Sequence, residues 1–64
     1  GGPTAVFLDI VEKSPGISRA AALDLAVPRV TTESDDVRGA IRESLRAMIR
    51  RKRLTERDGG LFLP

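Results

Sequence analysis

Basic side chains are the groups of this 64-residue sequence best suited to act on a partner, and one segment holds most of them. Residues 38–53 contain seven bases and one acid, whereas residues 1–37 contain three bases and six acids. The basic residues of that segment are Arg38, Arg42, Arg46, Arg50, Arg51, Lys52 and Arg53. A localised group of arginines is typical of proteins that bind polyanions, so the segment predicts a polyanionic partner.

Catalytic chemistry has little support in the residue types. The sequence has no cysteine and no histidine, which excludes disulfides, thiolate zinc sites and catalysis by either side chain. No base partner is available to the serines, Ser14, Ser18, Ser34 and Ser44. No glycine-rich loop joins a strand to a helix. We therefore expect this domain not to be an enzyme, and we expect no cofactor and no small-molecule ligand.

Length and hydropathy set further bounds. A chain of this size forms one domain with a small core. No apolar run approaches the roughly 20 residues that cross a bilayer, so no membrane partner is expected. The lack of cysteine favours a reducing cytoplasm, with nucleoid association in a bacterium. Residues 1–3, Gly-Gly-Pro, resemble a cloning remnant, and residues 4–64 are expected to be one domain of a longer protein.

Two helices are predicted in the first half of the chain. The first covers roughly Thr4–Lys13, with Thr4 as its N-cap and Ser14-Pro15-Gly16 ending it. Its apolar residues recur at helical spacing: Val6, Phe7, Ile10 and Val11. Ser18 is the predicted N-cap of the second helix, and Pro28 ends it.

The second helix also carries two leucines that cannot both face the core. Leu23 and Leu25 lie about 160° apart around a helix, so one of them must be less buried. Leu23 either packs under the following loop or is an exposed contact for a partner.

The third helix is predicted over Asp35–Arg53, starting within a residue or two of Ser34. Its apolar face comprises Val37, Ala40, Ile41, Ser44, Leu45 and Met48. The opposite face comprises Gly39, Arg42, Arg46, Arg50 and Arg53, with Arg38 at its boundary. Asp35 and Asp36 in the first turn complement the helix dipole, which explains them better than a metal site.

A short hairpin is predicted after the third helix. The sequence RLTERDGGLFL reads as two apolar-containing runs around an Asp-Gly-Gly turn. Leu54, Leu61 and Leu63 are the candidates for its core-facing positions. A free two-stranded hairpin is marginal in water, so this one must pack on the helices.

The order of these segments resembles a winged helix-turn-helix domain from Thr4 to Leu63. The residues that carry the resemblance are Ser18, Ala20, Ala22 and Leu23, and the ending LRAMIRRKRLTERDGGLFL. The resemblance implies a mainly α fold with a small β-hairpin. It implies a recognition helix at residues 35–50, a wing at residues 54–63 and a short third strand at residues 16–18. It also implies double-stranded DNA as the partner and a role in transcription regulation.

That resemblance assigns roles to individual residues of the recognition helix. The N-terminal part of such a helix enters the major groove, where arginine binds guanine with two hydrogen bonds. Arg38, Arg42 and Arg46 would make these contacts. Gly39 either permits close approach to DNA or lies on a surface that tolerates glycine at a cost of about 1 kcal/mol.

Phosphate contacts would come from residues that flank the recognition helix, and they would position the protein without specifying sequence. These are Arg29, Thr31, Thr32, Ser34, Arg50, Arg51, Lys52 and Arg53. Capping is an equal alternative for Thr32 and Ser34. The wing has one base, Arg57, between Glu56 and Asp58, and Arg57 either touches DNA or faces water.

A protein-interaction or dimerisation module is the alternative function, with a second copy or another domain of the parent protein as partner. The weakly basic wing and Leu23 favour it, and fold alone does not fix function.

Overall fold

The computed structural model describes residues 2–31 and 35–64, which form three α-helices followed by a two-stranded hairpin. Helix α1 spans Pro3–Lys13, α2 spans Arg19–Ala26 and α3 spans Val37–Arg50, with a 3₁₀ turn at Val27–Arg29. Strands β1, Thr55–Arg57, and β2, Gly60–Phe62, pair antiparallel. The predicted class, mainly α with a small β-hairpin, is confirmed.

Helix α1 begins earlier than its sequence pattern indicated. Gly2 is the N-cap and Pro3 is the first helical residue, so the predicted capping role of Thr4 is wrong. Proline suits this position because its missing N–H would have no partner within the helix. The predicted apolar stripe is buried, with Phe7 fully enclosed.

Helix α2 is capped as predicted, since Ser18 Oγ accepts a hydrogen bond from the Ala21 N–H at 3.1 Å. The helix ends at Ala26, and Pro28 lies in the 3₁₀ turn that follows. Leu23 is only 6% exposed, whereas Leu25 is 50% exposed. The hypothesis of Leu23 as an exposed partner contact is therefore wrong, and Leu25 is the leucine that faces solvent.

Helix α3 is shorter than predicted at both ends. Asp36 is its N-cap, so the helix begins at Val37 and not at Asp35. At the other end, Lys52 adopts φ 61°, the left-handed conformation that closes a helix. The Arg53 N–H donates to the Met48 carbonyl at 2.8 Å, and the Lys52 N–H to the Ile49 carbonyl at 3.1 Å. The predicted helical extension to Arg53 is wrong because this reversal turns Leu54 into the core, where it is 1% exposed.

The hairpin packs on the rest of the molecule through β2. Ile17 and Leu61 form an antiparallel bridge, with the Leu61 N–H donating to the Ile17 carbonyl at 2.8 Å. The Gly16 N–H donates to the Leu61 carbonyl at 2.7 Å. A short third strand was predicted at residues 16–18, and the structure has a single-residue bridge there, which places β2 between Ile17 and β1.

The three leucines predicted to face the core behave differently. Leu54 and Leu61 are buried, as predicted, but Leu63 is 44% exposed. The prediction for Leu63 is wrong because β2 ends at Phe62, so the chain leaves the sheet before Leu63 can pack. Three helices and a hairpin that pairs with the α1–α2 turn are an arrangement compatible with a winged helix.

None of the helices within residues 2–31 and 35–64 combines the length and the apolar content that crossing a lipid bilayer demands.

Candidate nucleic-acid interface

Burial of one face of α3 fixes the direction of its arginines. Ile41, Leu45 and Met48 are almost completely enclosed against the other helices and the hairpin. Residues three or four positions apart share a helix face. The side chains opposite this buried face are exposed: Arg38, Arg42, Arg46 and Arg50. The predicted division of α3 into an apolar face and an arginine face is confirmed for Arg42, Arg46 and Arg50, whereas Arg53 lies beyond the end of the helix.

Three of the arginines predicted to contact DNA already have acidic partners. Arg38 Nη2 lies 2.8 Å from Asp24 Oδ1 on α2. Arg46 Nη1 lies 3.2 Å from Glu43 Oε1 on the same helix, and Arg29 Nη2 lies 2.8 Å from Asp9 Oδ2 on α1. These side chains are partly exposed, and ion pairs of this kind contribute only about 0–1 kcal/mol. A polyanion can therefore displace them at little cost.

The Asp9 carboxylate joins two bases. Lys13 Nζ lies 3.0 Å from Asp9 Oδ1, while Arg29 approaches the other oxygen. Hydrogen bonds from Lys13 and then Arg29 lower the pKa of Asp9 below its ordinary value. Arg29 is thereby oriented toward α1.

The remaining bases near α3 have no acidic partner among residues 2–31 and 35–64. One is Arg42, in the middle of the arginine face. The others form what we call the basic turn, which comprises Arg50, Arg51, Lys52 and Arg53. All four are exposed, and the hydrogen bonds that close the helix hold their backbone. Among the described residues, Arg38 and Arg46 of the predicted stripe thus have acidic partners, whereas Arg42, between them, and the basic turn do not.

The presence of glycine at position 39 has a structural explanation that the sequence did not suggest. The Gly39 N–H donates to Asp36 Oδ1 at 2.9 Å, which is the N-capping bond of α3. A Cβ atom built on Gly39 would lie 2.7 Å from Asp36 Cγ, closer than real Cβ atoms come to a carbon. Glycine therefore lets the capping carboxylate fold back onto the first turn of the helix.

A groove of about 300 Å³ lies between α2 and α3. Four arginines and three apolar side chains line it: Arg19, Arg38, Arg42, Arg46, Ala20, Leu23 and Leu45. We call it the α2–α3 groove.

Arg19 was missed by reasoning from the sequence, because it belongs to the acidic half of the chain. The sequence feature that could have identified it is its position directly after the N-cap Ser18, at the start of the helix that precedes α3.

Arg19 also ties α2 to the hairpin. Its Nε lies 2.6 Å from Glu56 Oε2 and its Nη2 lies 2.7 Å from Glu56 Oε1, a bidentate pair. The hydrogen bonds raise the pKa of Arg19 and lower the pKa of Glu56. Pairs of this fork geometry are the more strongly oriented ones.

Arg57, the only base of the hairpin, stacks on an aromatic ring. Its guanidinium carbon lies 4.4 Å from the centroid of Phe62, a cation–π contact. Arg57 stays exposed on the outer surface of β1. Its predicted contact with DNA stays a prediction.

The loop before α3 contributes less to the described surface. Thr31 is exposed. Thr32 and Ser34, predicted to bind phosphate or to cap α3, lie outside the described residues. Within residues 2–31 and 35–64, no three acidic side chains come together in a way that could hold a metal ion.

Comparison of the chain with protein-family models, curated proteins and solved structures gave no match. Function must therefore be inferred from the geometry and charge of this surface.

Proposed function

We propose that this chain is a double-stranded DNA-binding module of the winged helix-turn-helix type, with α3 as its recognition helix. The observation that carries the proposal is the group of exposed bases without acidic partners in the described chain, Arg42 and the basic turn. Like charges at neighbouring helix positions repel each other. A polyanion relieves this repulsion and is the partner that such a surface fits best.

The dimensions of α3 suit a major groove. A helix of this length is about 21 Å long, and with its side chains about 10–12 Å wide, against a groove width of about 12 Å. Arg38, Arg42 and Arg46 follow one another at intervals of about one turn. They would face base edges, while the basic turn would bind the phosphate backbone beyond the groove.

The hairpin and the bridge at Ile17 support the winged-helix assignment. Three helices are followed by β1 and β2, and β2 pairs back onto the α1–α2 turn. The hairpin itself is nearly neutral, since Arg57 is flanked by Glu56 and Asp58. We therefore assign most of the affinity to α3 and the basic turn.

Fluorescence anisotropy with a labelled DNA duplex tests the proposal. The double variant Arg50→Ala/Arg53→Ala should weaken binding by at least about tenfold, because hydrogen bonds to charged groups are worth about 1.5–3 kcal/mol each. The matched control is Lys13→Ala, which removes an exposed base from α1. Equal losses for the variant and the control would contradict the proposed surface.

A protein-interaction role is the second candidate, and the α2–α3 groove is the observation that favours it. Apolar surface lies between the arginines there, and a DNA phosphate offers nothing apolar to cover it.

A further inference from the structure

The four arginines of the α2–α3 groove differ in their acidic partners. Arg19 is paired with Glu56, Arg38 with Asp24 and Arg46 with Glu43, and none of these three carboxylates lines the groove. Among the described residues, the lining of the groove therefore contains arginines and no carboxylate. Arg42, between Arg38 and Arg46 along α3, has no acidic partner among the described residues.

The same groove has an apolar floor. Ala20 is exposed at its edge, and Leu23 and Leu45 lie beneath it. The methylene stems of arginine add further apolar surface around such a floor. The volume, about 300 Å³, is at the lower end of the roughly 300–1,000 Å³ range of ligand pockets. It suits a single anchoring side chain better than a whole helix.

We infer that the α2–α3 groove binds an acidic peptide segment of a partner protein, with one aliphatic side chain against the apolar floor. Carboxylates of the segment would bind Arg38, Arg42 and Arg46. Successive arginines at this spacing are about 6 Å apart along the helix axis. Alternate residues of an extended peptide are about 6.6 Å apart, so acidic residues at alternate positions match the row.

This inference goes beyond the proposed DNA binding and does not depend on it. The peptide needs the groove and its apolar floor, whereas DNA needs the basic turn. Arg38, Arg42 and Arg46 serve both ligands, so the two partners exclude each other. The module would then release DNA when an acidic segment of another protein occupies the groove.

Anisotropy of a labelled peptide with the intact chain tests the inference. The leucine peptide carries glutamates at alternate positions and one leucine between them. A second labelled peptide, otherwise identical, has alanine in place of that leucine. The leucine peptide should bind at least about tenfold more tightly, because burying a leucine side chain is worth roughly 1.5–3 kcal/mol relative to exposure. Equal affinity of the two peptides would mean unspecific charge attraction and would overturn the proposal.

The variant Ala20→Glu places a carboxylate at the edge of the groove and should reduce binding of the leucine peptide by at least about tenfold. A glutamate in the first turn of α2 favours the helix dipole, so the fold should persist, as circular dichroism would verify. The control is Ala5→Glu, at an exposed position of α1. Unchanged peptide binding in Ala20→Glu would exclude the groove.

A second variant separates the two functions. Arg51→Ala/Lys52→Ala removes charge from the basic turn and leaves the groove intact. It should weaken duplex binding and retain the preference for leucine over alanine in the peptide. Loss of that preference in this variant would overturn the groove proposal, while failure to bind duplex in the native chain would overturn only the DNA proposal.

Discussion

The carboxylate of Asp36 and the backbone of Gly39 form one unit at the start of α3. The capping bond needs the carboxylate to lie over the first turn, and the missing Cβ of Gly39 leaves room for it. Glycine lowers the stability of the helix by about 1 kcal/mol relative to alanine, and a capping side chain raises it by about 1 kcal/mol. The two residues are thus energetically coupled.

A double-mutant cycle measures that coupling. Gly39→Ala alone should change the free energy of unfolding little, because the gain in helix propensity is offset by displacement of the cap. In the Asp36→Ala background the same substitution should stabilise the protein by about 1 kcal/mol. Urea unfolding of the four proteins gives the coupling energy, and an identical effect of Gly39→Ala in both backgrounds would refute it.

Glu56 should make stability depend on pH. Its bond to Arg19 holds its pKa below the ordinary value of 4.5. A carboxyl group with a lowered folded-state pKa stabilises the fold above its unfolded pKa, and this contribution disappears as pH falls through the folded pKa. The melting temperature of Glu56→Gln should therefore fall less below pH 4.5 than that of the native chain. Glu12→Gln, at an exposed position of α1, is the control, and it should retain the native pH dependence.

The helices and the cap of α2 at Ser18 were predictable from the sequence, but the start of α1 and both ends of α3 were not. Periodicity alone identified the buried faces of α1 and α3, because apolar side chains at helical intervals have one common direction. The end of α3 depends on a left-handed lysine, a residue type with no preference for that conformation. Only the need to bury Leu54 explains it, and that need arises from tertiary structure.

The hairpin depends on a close approach of two glycines. A Cβ atom on Gly60 would lie 2.6 Å from the carbonyl oxygen of Gly16 and 2.9 Å from its Cα, both backbone atoms. Gly59 differs, since it has φ +76° and nothing within 4 Å of a Cβ. The two adjacent glycines therefore serve different purposes, one conformational and one steric.

Gly60→Ala should destabilise the protein by about 1–3 kcal/mol, because backbone must shift to admit the methyl group. Gly59→Asn is the matched control, since asparagine tolerates the left-handed region. Urea unfolding monitored by circular dichroism compares the two. A loss for Gly60→Ala no larger than that for Gly59→Asn would contradict the steric role.

The charge of the whole molecule is arranged by tertiary pairing more than by sequence order. The net charge is only +2, yet the acids of α1, α2 and the hairpin neutralise arginines far from them along the chain. The position of the basic segment was readable from the sequence. The acidic partners of its bases were not readable, because residues such as Arg38 and Asp24 meet only in the folded chain.

The salt dependence of DNA binding should report how many basic side chains contact phosphates. If the four bases of the basic turn each neutralise one phosphate, log K should fall with log salt at a slope of about −4. Arg50→Ala/Arg53→Ala should reduce that slope by about 2. Titrations at several salt concentrations measure both values, and a slope near zero would exclude phosphate contacts as the source of affinity.

The position of β2 between Ile17 and β1 has a consequence for synthesis of the chain. Leu61 is completely enclosed in the core and bonds to a segment made long before it. Until Leu61 leaves the ribosome, the three helices have no partner for that part of the core and the α1–α2 turn lacks its two backbone hydrogen bonds to Leu61. Contacts between distant segments are formed late because closing the long loop costs entropy. The domain therefore completes its fold only after its final strand has been translated.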